Sequence, residues 1–289
     1  MSYGLFYSVQ TSEASYNELT IGRDGVVTAS IQFTAPGWPV RALGHYYMDA
    51  VPGDVDLIRI RELIHETGLA LGESFLCQAR FGGRYKMFCI EWEGNETCHS
   101  ADIMAPLPQP LVSLESLLVP LFARVGLKAP QRTLSINLSF KPVAVAPGSN
   151  LRIVLEIINR GPFPTVFRNF AGFLDKGTDR LIINFWIPPE REGEAPVFVW
   201  TMNLSGREWL VAERQALRSK DAYLRIDMHG SLRTWTDVRM PKAMEGRLLA
   251  ELVFISHMES EEEEENSDLV VGEYHTDPVE LAILRPARS

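Results

Sequence analysis

Cysteine is scarce in this sequence: Cys77, Cys89 and Cys98 are the only three among 289 residues. So small and odd a number in a chain this long excludes a disulfide framework as the main source of stability. Free thiols in a reducing cytoplasm are the expectation. Basic residues are in no surplus either, with 28 Lys and Arg against 37 Asp and Glu, a net charge of −9. Six of the acids, Glu259 and Glu261 to Glu265, fall in one run; without them 31 acids face 28 bases and the body stands near balance at −3. No basic stripe is present, which excludes nucleic acid as an expected partner. No stretch approaches the roughly 20 apolar residues that span a bilayer. The start, Met1 to Tyr7, has neither the basic region nor the apolar run of a leader. Neither a membrane nor export is therefore expected.

Motifs that carry chemistry are missing as well. Gly72-Glu73-Ser74 continues into Phe75 and Leu76, so it is no nucleophile elbow, and no Gly-x-Gly-x-x-Gly or phosphate-loop lysine occurs. His65-Glu66-Thr67-Gly68 opens like a zinc-protease helix, but Leu69 stands where the second histidine must fall one turn on. His65 is instead expected near a helix C-terminus, where it favours the dipole. Cys89, Cys98 and His99 hint at zinc. Neighbours on a strand point to opposite faces, however, and no Cys-x-x-Cys pair exists, so buried free cysteines are expected. No metal, cofactor or catalytic residue is assigned.

What is present reads as two β-rich parts. In residues 1–127, Leu19 to Ile21 leads through Arg23-Asp24-Gly25 into Val26 to Ile31, a hairpin whose Asp-Gly supplies the positive φ of a tight turn. Leu57, Ile60, Leu63 and Ile64 then share one helix face, with Asp54 or Asp56 as cap and Gly68 as stop. Tyr85 to Trp92 turns at Glu93-Gly94-Asn95 and returns from Thr97 to Ile103. A second helix is expected from Ser113, its stripe made by Leu114, Leu117, Leu118, Leu121 and Val125, with Pro120 kinking it or ending it early. This is an α+β pattern, two helices on one face of an antiparallel sheet. A linker is expected near Gly126 to Arg132.

Beyond it, in residues 133–289, helices vanish. Leu134, Ile136, Leu138 and Phe140 alternate with polar residues, as do Leu151, Ile153, Leu155 and Ile157. Further strands are expected at Leu181 to Ile187, Val197 to Met202, Tyr223 to Met228, Leu248 to Ile255 and Val279 to Leu284. About seven strands over this length predict an immunoglobulin-like β-sandwich. The alternation from Tyr223 places Leu224, Ile226 and Met228 inward and leaves Asp227 and His229 in an outer polar row, a solvated face or a remote catalytic pair. The acidic run Glu259 to Asp268 is expected to form a solubilising loop, or a decoy for a basic partner.

The stretch Val145-Ala-Pro147-Gly148 to Leu151, with the apolar alternation ending at Asn159 and Gly161, resembles the first turn of bacterial intracellular immunoglobulin-like domains of the intracellular proteinase inhibitor type. The ending from Gly272 to Pro278 into Val279 is similar to the last two strands of such sandwiches. The order of hairpin, helix, strand pair and helix in the first part resembles emfourin-type metalloprotease inhibitors. These resemblances imply a sandwich preceded by an α+β domain; they transfer no functional residue.

Function is then expected to be binding: a non-catalytic protein–protein interaction or scaffold protein whose partner is another protein. The alternatives are an intracellular peptidase inhibitor, with Pro36 to Pro39 or Gly161 to Pro164 as wedge, and an enzyme whose site is assembled from distant residues of the C-terminal part. The candidate interface residues are Trp38, Pro39, Phe163, Pro164, Phe167, Trp209 and Trp235. The aromatics among them serve either a partner or the closing of the sandwich's ends.

Overall fold

The structure is a computed structural model that describes residues 3–10, 16–36, 40–49, 53–72, 74–75, 84–103, 105–128, 130–174, 177–191, 193–211, 221–257 and 268–284. The described chain up to residue 33 and from 40 to 133 makes one compact unit; 34–36 and 134 onward make the other. Trp38, Pro39, Cys77 and most of the acidic run lie outside the described residues. The fold is β-rich, with large antiparallel sheets and, among the described residues, two α-helices.

The N-terminal unit is built on β1 (Tyr3–Gln10), β2 (Tyr16–Ile21), β3 (Val26–Ile31), β5 (Leu43–Asp49), β6 (Tyr85–Trp92) and β7 (Asn95–Asp102), in the order β5-β3-β2-β1-β6-β7. A two-residue β4 (Phe33–Thr34) follows β3 in the chain. Both expected hairpins form. Asp24 Oδ1 accepts from the Val26 amide at 3.0 Å and closes the β2–β3 turn. Trp92 pairs with Asn95 across Glu93 and Gly94, whose φ values of 51° and 90° give the turn that matches strand twist. One face of the sheet, with Leu5, Tyr7, Leu19, Ile21, Val27, Ile31, Phe88 and Ile90, is buried in one core with the helices.

Helix α1 (Val55–Thr67) starts where Asp54 Oδ1 accepts from the Asp56 and Leu57 amides at 3.1 and 3.3 Å, and stops at Gly68 in the left-handed region. Leu57, Ile60 and Ile64 are its buried stripe. Helix α2 (Gln109–Lys128) begins four residues before Ser113 and runs through Pro120 without ending. Pro110 lies in the first turn, where its missing N–H costs nothing. Pro120 is exposed, so water can serve the Ser116 carbonyl that it leaves without a donor, while buried Leu114, Leu118, Leu121 and Val125 hold the helix on both sides. By length and composition α2 is apolar enough to cross a membrane; those four residues instead belong to the core of this unit. Gly126 sits within α2 because a Cβ there would meet Val40 Cγ2 at 2.4 Å. Arg124 ties the helices together by ion pairs to Asp54 (2.8 Å) and Asp56 (2.9 Å).

Strand β8 (Pro130–Lys141) begins where linker was expected, and the division between the units falls within it. Near its start the backbone passes so close to Gly44 (φ 135°) that a Cβ there would lie 1.9 Å from the Arg132 carbonyl oxygen. The C-terminal unit holds β9 (Ala144–Val145), β10 (Asn150–Ile158), β11 (Thr165–Arg168), β12 (Arg180–Ile187), β13 (Val197–Asn203), β14 (Tyr223–Ile226), β15 (Ser231–Arg239), β16 (Gly246–Ser256), β17 (Gly272–His275) and β18 (Val279–Ile283). β10 pairs antiparallel with both β8 and β15. In a second sheet β13 pairs β12 and β12 pairs β16; β17 and β18 share the far side of β16, and β9 joins β18 in parallel. β11 and β14 pair separately. The residues that the alternation marks, Leu134, Ile136, Leu138, Phe140, Leu151, Ile153, Leu155 and Ile157, are all buried, and so are Ser135 and Val154 between them. At roughly 1.5–3 kcal/mol per buried large aliphatic side chain, these rows are the main source of cohesion.

Candidate interaction surface

The β12–β13 hairpin ends in an exposed apolar edge. β13 is the outermost strand of its sheet, and Val197-Phe198-Val199-Trp200-Thr201-Met202-Asn203 carries no charge. Val197, Phe198 and Val199 are 62%, 51% and 41% exposed, and Ile187 opposite them 47%. A bulge sets their directions. Phe185 pairs with Trp200 and stacks on it at 5.5 Å, but the register shifts before Trp186, which pairs with Phe198 and meets it edge-on at 5.1 Å. The extra residue turns Phe198 onto the outer face beside Trp186. Edge strands are commonly blunted by Lys or Pro within the strand, and this one has neither.

The residues singled out from sequence are scattered. Phe167 and Trp209 are core, 1% and 0% exposed. Phe167 is carried inward by β11, and Trp209 is packed edge-on against Phe170 at 5.0 Å. Trp235 is half-buried on β15, beneath the Arg152 guanidinium at 5.8 Å, its backbone exchanging two hydrogen bonds with Leu210. Pro164 is half-buried, and Phe163 is exposed on a fixed loop. Asn159, fully buried, donates from Nδ2 to the Phe163 and Asp227 carbonyls (2.7 and 3.2 Å) and accepts from the Gly161 amide at 3.0 Å.

The outer row at Asp227 and His229 does not form. β14 ends at Ile226, the chain turns through His229 (φ 52°), and Met228 is 64% exposed rather than inward. Asp227 instead faces Arg225 at 3.6 Å.

Cys89 and Cys98 are not free thiols but a cross-strand disulfide. They stand opposite one another in the β6–β7 hairpin, so the register set by the Glu93-Gly94 turn brings the sulfurs together. Glu96 lies within 4.8 Å of both, but bonded sulfurs offer no thiolate to a metal. His99 points to the buried face, accepting the Phe75 amide at Nδ1 (3.1 Å) and donating from Nε2 to the Leu69 carbonyl (3.0 Å), a wholly structural role.

Two ionic groupings escaped the sequence reading. Asp179, 7% exposed, accepts the His257 amide at 2.8 Å, faces His257 Nδ1 at 3.3 Å and pairs with Arg168 at 3.5 Å, beside a cavity of about 350 Å³. His275 lies between Glu251 (Nδ1, 3.1 Å) and Glu273 (Nε2, 2.7 Å). Burial pushes its pKa down, but the hydrogen bonds and charge of both carboxylates outweigh this and raise it from 6.5 to about 9. Glu273-Tyr274-His275 is local enough to be noticed as an i, i+2 pair, whereas Glu251 comes from a different strand.

No protein-family model matches the chain, and no curated protein matches it. Among solved structures, an alkylpurine DNA glycosylase of Pseudomonas fluorescens bound to DNA containing an abasic site analog aligns with 54% of this chain at 9% identity and a TM-score of 0.22. The chain spans only 32% of that protein's length. The ASH/PapD-like domain 7 of human CEP192 aligns with 52% of this chain and 86% of its own length, at 9% identity and a TM-score of 0.23. At such values neither likeness carries an argument about this chain.

Proposed function

We propose that the protein is a non-catalytic protein-interaction or scaffold protein and that β13 is its contact edge. The observation that carries this reading is the uncharged outer strand Val197–Asn203, with its large apolar side chains in solvent. An extended segment of a partner would add to the free side of β13, its backbone supplying the hydrogen bonds and its alternate side chains packing on Phe198 and Trp186. We read the C-terminal unit as an immunoglobulin-like sandwich, supported by its two groups of antiparallel strands with alternately buried residues.

The test is affinity purification of the tagged full chain from its native cells, beside a Val199→Lys variant that places a charge on the edge. A stoichiometric partner that is lost with the variant, while the circular dichroism spectrum is unchanged, supports the reading. A partner-free wild-type chain, or a partner indifferent to the substitution, refutes it. One observation favours inhibition of a peptidase as a second reading. The loop bearing Phe163 is pinned by buried Asn159, as a pre-formed wedge must be if it is to lose little entropy on docking. Inhibition of any member of a protease panel, abolished by Phe163→Ala, would favour it over the first.

A further inference from the structure

The outer face of the N-terminal sheet carries a concave polar patch that plays no part in the reading above. Cross-strand register builds it. Glu18 on β2 pairs with Ser30 on β3, which pairs with His45 on β5; in the next row Thr20 pairs with Thr28 and Thr28 with Tyr47. Directly paired residues share a face, so six side chains from three strands converge. Gln131 and Arg132, at the start of β8, close the rim beside β5. It is a half-open groove of about 410 Å³, within the roughly 300–1,000 Å³ of small-molecule sites.

The lining has unmet capacity for hydrogen bonding. Glu18 is half-buried and forms no hydrogen bond or ion pair with any described residue, and burial raises its pKa. The side chains of Thr20, Thr28, Ser30 and Gln131 likewise have no partner among the described residues. Four groups thus both donate and accept, and one carboxyl chiefly accepts. Tyr47 leaves a ring 42% exposed at the margin, held by its hydroxyl's hydrogen bond to Asp49 at 3.0 Å.

We infer that this patch binds a small neutral polyhydroxylated molecule of monosaccharide size. Each sugar hydroxyl both donates and accepts and so matches the mixed lining, while the apolar C–H face of the ring packs on Tyr47. The same lining disfavours other classes. Among its described lining residues Glu18 and His45 are the only carboxylate and imidazole, too few for a metal site, and its mixed polar and apolar surface is not the wholly apolar wall that a lipid chain needs.

The experiment is titration of the ¹⁵N-labelled full chain with glucose, galactose, mannose and N-acetylglucosamine, each to about 20 mM, with ethanolamine as a cationic control. At least one sugar should give saturable amide shifts on β2, β3 and β5, with a Kd near or below about 5 mM, equivalent to about −3 kcal/mol. Glu18→Gln and Tyr47→Ala should each weaken binding at least tenfold and leave the rest of the spectrum in place, which separates loss of the site from loss of the fold. Absence of saturable shifts with all four sugars overturns the assignment. So do shifts that survive both substitutions, or binding of ethanolamine alone.

Discussion

Replacing His275 with glutamine removes an imidazolium held between two carboxylates on one face of the β16–β17 pair. The side chain is 19% exposed, so solvent screening does not erase the interaction. The rise from 6.5 to about 9 corresponds to on the order of 3 kcal/mol of folding stability, since each tenfold gain in proton affinity is worth about 1.4 kcal/mol. The folded-state value is the raised one, so this contribution is complete below about pH 6.5 and is lost as pH rises through about 9. Urea unfolding followed by tryptophan fluorescence reports mainly on the C-terminal unit, because Trp186, Trp200, Trp209 and Trp235 are four of the six tryptophans. The stability difference between wild type and His275→Gln should shrink by roughly 3 kcal/mol between pH 6 and pH 10. An NMR titration of the His275 ring should give a midpoint near 9. A ring that titrates near 6.5, or a stability difference that stays constant with pH, would refute the reasoning.

Three further perturbations test the frame. Gly44→Ala puts a methyl group on the Arg132 carbonyl at an unfavourable φ, and should cost at least about 3 kcal/mol by chemical denaturation. Asp54→Ala removes both the cap of α1 and an ion pair to Arg124 and should cost about 2 kcal/mol; Asp54→Asn, which keeps the cap, should recover roughly half. Alkylation of the unreduced, denatured chain should modify one of the three cysteines and reduction should expose all three; the Cys89→Ser, Cys98→Ser double variant should lose about 2 kcal/mol.

Much of the fold follows from local patterns. Leu134 to Phe140 and Leu151 to Ile157 bury the residues that their alternation marks, and both hairpins turn at the Gly residues that permit them. β15 was hidden because its buried face is Thr234, Thr236 and Val238. Two of these are hydroxyl residues that no hydrophobic periodicity records, Thr234 being satisfied by the Leu210 carbonyl at 2.8 Å. α2 outran its expected limits because a buried stripe outweighs one exposed proline. The disulfide was implicit in the β6–β7 turn, since Trp92 opposite Asn95 places Cys89 opposite Cys98, but the odd cysteine count argued the other way. The exposed edge was less accessible to sequence. Val197 to Met202 reads as a strand, yet periodicity cannot say that it ends its sheet among the described residues.

A neutral, sticky strand also has a consequence for how the chain is produced. The free side of β13 can pair with any extended segment, including β13 of a sister molecule, so the isolated protein should have a modest solubility ceiling that rises steeply once its edge is capped. Cells that make it in excess of whatever caps that strand would carry the surplus as aggregate. On the proposed reading, balanced synthesis of chain and partner would then be a requirement imposed by a single run of seven residues.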